Sequence, residues 1–158
     1  MNVGGWLGWS LLATVLLTLI VAGAQGLGWT RVSMPFLLGT MFTADRDRAR
    51  VIGIGVHLVN GWIFGLVYEA IFWTVRVRSV SFGAALGLLH GMFVAAVLLP
   101  ALPGIHPRMA GTRSGPTAAR VLEPPGFLGL HYGYQTPLVI VLSHVAFGAL
   151  LGLGAAAR

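Results

Sequence analysis

Three histidines, His57, His90 and His144, fall inside apolar stretches of this 158-residue sequence. An ionisable side chain in such surroundings is costly and is a functional candidate by default. Imidazole ligates zinc, copper, iron and haem, and facing helices of a bundle commonly present a pair of such ligands. A neutral imidazole also suits a proton or quinone role. The structural alternative is tethering: a histidine donates to a backbone carbonyl or to Asn60, one turn from His57 on nearly the same face. The sequence has no cysteine, no HExxH and no CxxCH. Disulfides, thiolate metal sites and thiol catalysis are therefore excluded. No hydrolase or transferase constellation is present, so catalytic residues are not assigned.

The elements that hold these residues follow from composition. Hydrophobic residues make up 56% of the chain and charged residues 9%, and mean hydropathy is +0.84. A soluble domain carries about 25% charged residues, so the chain is read as an all-α polytopic membrane protein. Four apolar stretches, 4–26, 51–73, 82–100 and 137–157, are each long enough for about 30 Å of hydrocarbon. They predict one membrane domain, a bundle of four transmembrane helices, with its lipid bilayer as first partner. The small-residue run Ala22-Gly23-Ala24 resembles a signal cleavage site, but no basic residue precedes the first stretch, which is too long for a signal core. Thr43 is a possible N-cap of the second helix, with Asp45 and Asp47 near its positive end. Pro100 and Pro103 are expected to stop the third, and Thr136-Pro137 to start the fourth.

Four spans put the long loops 28–49 and 103–135 on one face, opposite a short hairpin at Arg76–Ser79. Seven arginines, at 31, 46, 48, 50, 108, 113 and 120, lie on this loop face, against Arg76, Arg78 and Arg158 on the other. The positive-inside rule then puts the loop face in the cytoplasm. The net charge of +6 is read as topology and contact with anionic headgroups, not as nucleic-acid binding. Counting about 1.5 Å per residue from the loop face places His57 about 10 Å deep, His144 about 13 Å and His90 about 15–18 Å.

A second candidate site lies in the loops. Ser33–Thr43 is too apolar for a solvated loop and too short for a span, so it reads as interfacial or re-entrant. The alternating run Asp45-Arg46-Asp47-Arg48 follows, and His106, Arg108, Glu123 and His131 lie among prolines and glycines that order the second loop. Glu69, near Arg76 and Arg78, reads as a snorkelling carboxylate.

Glycine, 23 residues and about twice its usual share, falls at helical spacing. Gly53, Gly61 and Gly65 mark the second helix, Gly83, Gly87 and Gly91 the third, Gly148 and Gly152 the fourth. Rows of small residues let helix backbones approach closely, either within a monomer or in an oligomer.

The stretch Met34-Pro-Phe-Leu-Leu-Gly-Thr-Met-Phe-Thr-Ala-Asp-Arg-Asp-Arg, with Val51-Ile-Gly, His57-Leu-Val-Asn-Gly-Trp, His106-Pro-Arg-Met and Leu122-Glu-Pro-Pro-Gly-Phe-Leu-Gly-Leu, resembles a group of small uncharacterised bacterial integral membrane proteins. The resemblance covers nearly the whole chain. It implies a four-span plan in a bacterial inner membrane and transfers no activity, ligand or catalytic residue. Two functional expectations follow. One is a non-catalytic membrane component that binds itself as a homo-oligomer, or another integral membrane protein. The other is an intramembrane metal-, haem- or quinone-binding protein that uses the buried histidines.

Overall fold

Lipid offers no water to unpaired amides, so an apolar spanning segment must satisfy its backbone internally, as helix. The computed structural model describes residues 3–111 and 115–157, which leaves Arg113 and Arg158 outside. Its helices are α1 (Val3–Gly26), α2 (Met34–Gly39), α3 (Arg46–Val75), α4 (Val80–Phe93), α5 (Leu99–Ile105) and α6 (Thr136–Ala156). Four of the helical runs, Val3–Gly26, Arg46–Val75, Val80–Ile105 and Thr136–Ala156, are long and apolar enough to cross a membrane. Their outward side chains, such as Leu12, Leu19, Ile63 and Leu89, are exposed apolar groups suited to contact with lipid.

Two boundaries differ from expectation. The N-cap of α3 is Asp45, not Thr43: its carboxylate accepts from the amides of Asp47 (3.1 Å) and Arg48 (2.8 Å). That cap starts α3 at Arg46, more than a turn before the apolar run. The third span, for its part, passes through Pro100 and Pro103. A proline ring clashes with the carbonyl four residues back and lacks an N–H. The chain meets this with a π turn at Val94–Leu98, where the Leu99 amide reaches the Val94 carbonyl. Pro100 then falls in the first turn of α5, where a missing donor costs little.

The glycine rows are filled within the chain. A Cβ on Gly83 would overlap the Gly148 carbonyl, and one on Gly148 would overlap that of Gly83; Gly87 meets the His144 carbonyl in the same way. These contacts join α4 to α6, the closest helix pair. In α3, Gly61 and Gly65 receive Thr14 and Ser10 of α1, while Gly53 faces Pro35. Helix α6 is central: half of its apolar window is buried, against 22–33% for the other spans. It packs on α4 and α1, and α3 packs on α1 and α2. The α3 and α4 helices meet through rings, Phe72 with Phe82 and Phe64 with His90.

Candidate functional site

Toward the loop face, α3 and the Val94–Ile105 half of the third span have no long run of close backbone approach among the described residues. The space between them is a cavity of about 270 Å³, backed by α1 and α6 and covered by the α2 segment. His57, Asn60, His90 and His144 all line it, and nearly all the rest of its wall is apolar, including Phe64, Val94, Leu98 and Phe147. Among the described residues, no arginine, aspartate or glutamate contributes to the wall. Leu98, Ala101 and Ile105, on the third-span side, are exposed, so the cavity borders the surface that meets lipid.

Helix geometry sets the rings. The close α4–α6 approach brings His90 to His144 with ring centroids 4.7 Å apart, edge to face at 76°. His90 also lies 4.2 Å from the Phe64 ring centroid and has Nδ1 3.4 Å from the Tyr68 hydroxyl. His144 Nδ1 is 2.7 Å from the Ile140 carbonyl. A carbonyl only accepts, so Nδ1 carries the proton and Nε2 is left as the lone-pair nitrogen. His57 Nε2 is buried and finds no hydrogen-bond partner among the described residues. An unpaired buried polar group costs about 1–3 kcal/mol, and this atom bears that cost as packed. Among the described residues no three His, Asp or Glu side chains group to hold a metal ion. The contact between the His90 and His144 rings leaves no room for a macrocycle between them.

The loop-face residues are dispersed: Asp45, His106, Arg108 and His131 bond to the backbone of a loop or helix end, and the others lie on the surface. Asp45 caps α3, Asp47 pairs with Arg50 at 2.7 Å, and Arg46 lies over the Phe36 ring at 5.7 Å. Arg48 is exposed on the first turn of α3. His106 and Arg108 clamp the end of α2. Arg108 donates to the carbonyls of Thr40 (2.7 Å) and Met41 (3.2 Å), which the helix leaves unpaired. His106 donates from Nε2 to Leu37 (3.0 Å) and accepts at Nδ1 from the Arg108 amide (3.1 Å). Burial holds the His106 imidazole below its ordinary 6.5, opposed by the Leu37 carbonyl and aided by the Arg108 charge. Elsewhere Arg31 pairs with Glu123 at 3.0 Å and donates to the His131 carbonyl. His131 Nδ1 lies 2.9 Å from the Pro124 carbonyl, and the Tyr132 hydroxyl donates to the Glu123 carbonyl at 2.7 Å. Burial first, then the Glu123 charge, raises the Tyr132 phenol to about 12, which keeps it a neutral donor.

Residues of the cavity that the sequence reading missed include Phe64, Phe147 and the α2 pair Met34 and Leu38. Phe64 had a signal: it follows His57 by seven residues, two helical turns, and so shares its face. No family model, curated protein or solved structure matches the chain.

Proposed function

We propose that this integral membrane protein binds a small lipid-soluble molecule between its helices, with His57, His90, His144 and Asn60 as the polar contacts. The observation that carries the reading is an apolar cavity whose wall His57, His90, His144 and Asn60 share, with the Nε2 of His57 buried beside it without a partner. Of the three ligand types histidines suggest, an organic molecule of the quinone–quinol class fits this wall best. A metal would lack a third ligand, and a haem would need the His90 and His144 rings farther apart. The chain acts as a binding protein, and its loops form the cover of the site. Self-association through the glycine rows loses its support, because those rows are occupied by Thr14, Ser10, Pro35 and each other.

The test is extraction and mass spectrometry of protein purified in mild detergent, wild type beside Val94→Phe, which fills the cavity. A stoichiometric apolar species that is present in the wild type and lost in Val94→Phe supports the reading. The same species retained by the filled variant overturns it.

A further inference from the structure

We infer that the ligand of this cavity is a neutral ring bearing a hydroxyl, a lipid-soluble phenol or quinol, whose hydroxyl donates to Nε2 of His144. This rests on the binding function proposed above and adds the ligand's chemistry. Four observations lead to it. First, the Nδ1–H of His144 is committed to the Ile140 carbonyl, so the free nitrogen of this ring can only accept, and a ligand satisfies it by bringing a donor. A bare ketone or ether cannot. Second, the ring is held in place: its Nδ1 is tied to the Ile140 carbonyl, and the backbone that carries it is pressed against Gly87.

Third, the wall has no charged side chain. An ionised head, whether carboxylate, phosphate or amine, would be buried without a partner at prohibitive cost, which leaves a neutral O–H donor. Fourth, size and shape favour a ring. An engineered apolar cavity of about 150 Å³ holds benzene, so the volume of about 270 Å³ here suits one substituted ring, with any alkyl tail left in the bilayer. Phe64, His144 and Phe147 each meet the His90 ring on that wall, and another aromatic ring packs favourably into such a cluster. His57 lines the same wall, and a turn of its ring would bring the unpartnered Nε2 to a quinol's other hydroxyl.

The experiment measures protein-dependent uptake into neutral phosphatidylcholine nanodiscs, with empty nanodiscs as the baseline. The probes are a 4-alkylphenol, its methyl ether, a straight-chain alcohol of equal carbon number and an alkylquinol. The wild type should bind the phenol about tenfold more tightly than the ether, and more tightly than the alcohol. The phenol-to-ether ratio should fall below twofold in His144→Leu and persist in His57→Leu. A quinol preferred over the phenol, with the preference lost in His57→Leu, identifies the quinol as the source; equal binding identifies a simple phenol. Ether binding equal to phenol binding in the wild type overturns the inference, as does alcohol binding equal to phenol binding. If no probe binds while the extracted species remains sensitive to Val94→Phe, the ligand class is wrong and the binding function stands. If that species is absent too, both fall.

Discussion

His90 and His144 meet edge to face with ring centroids 4.7 Å apart, and they do so because Gly87 and Gly91 of α4 lie against the backbone that carries His144. The packing of two helices and the placement of two imidazoles are therefore one structural fact. A change to the glycines must reach the histidines.

Gly87→Ala adds a methyl group where the His144 carbonyl already sits. Overpacking of this kind costs about 1–3 kcal/mol, and here it also separates the two rings. Thermal unfolding in detergent should show a clear loss of stability. Gly55→Ala is the control: nothing lies within 4 Å of its added Cβ, so it should be neutral or slightly stabilising. Equal effects of the two substitutions would contradict the packing described here.

Thr30 and Thr136 share a buried hydroxyl-to-hydroxyl hydrogen bond of 2.7 Å that ties the segment after α1 to the start of α6. Thr30→Val strands the Thr136 hydroxyl and the Val32 amide that also donates to Thr30, and should cost about 1–3 kcal/mol, whereas the double Thr30→Val, Thr136→Val change should recover only the Thr136 part of that loss. Unfolding midpoints of the single and double variants check this. A double variant worse than the sum of the singles would contradict it.

The α2 clamp should depend on pH. Because the folded environment lowers the His106 pKa below 6.5, the unfolded segment takes up the proton first. The contribution of His106 is thus complete above about pH 6.5 and is lost as pH falls toward the folded value. Amide exchange across residues 34–41 should quicken between pH 7 and pH 5 after correction for intrinsic rates. His106→Asn should flatten that dependence, and Arg108→Ala should raise exchange at every pH.

The exposed Arg31–Glu123 pair is a weak contributor by comparison. Exposed ion pairs are worth about 0–1 kcal/mol and are screened by salt. Glu123→Gln should change stability little, and any change should vanish at high ionic strength. A loss as large as that of Thr30→Val would show that the second loop depends on this pair.

Much of this architecture was legible in the residues. Span-length apolar runs identify four helices because lipid admits few alternatives, and counting rise per residue already gave His57, His90 and His144 similar depths. The spacing of Gly83, Gly87 and Gly148 signalled close packing, and the structure shows that partners within the chain fill it. What stayed hidden depends on neighbours. Pro100 and Pro103 read as a stop, because the π turn that places Pro100 in the first turn of α5 has no composition of its own, and Pro103 lies inside that short helix. His106 and Arg108 carry chemistry-bearing side chains, yet both are spent on α2 carbonyls that only the folded chain brings near. The cavity was not legible either: it is the space left between α3 and the Val94–Ile105 segment, and it depends on which helices are neighbours.

The most direct test of the central claim, that the histidine cavity takes up molecules from the bilayer, is photolabelling in vesicles with a short alkyl diazirine, followed by peptide mapping. Phe64, Val94 and Leu102 should be labelled, and their label should fall at least severalfold in a cavity-filling Ala101→Phe variant, while outward residues such as Leu12 and Leu89 label unchanged. Label confined to the outward residues, or cavity label indifferent to Ala101→Phe, would contradict it.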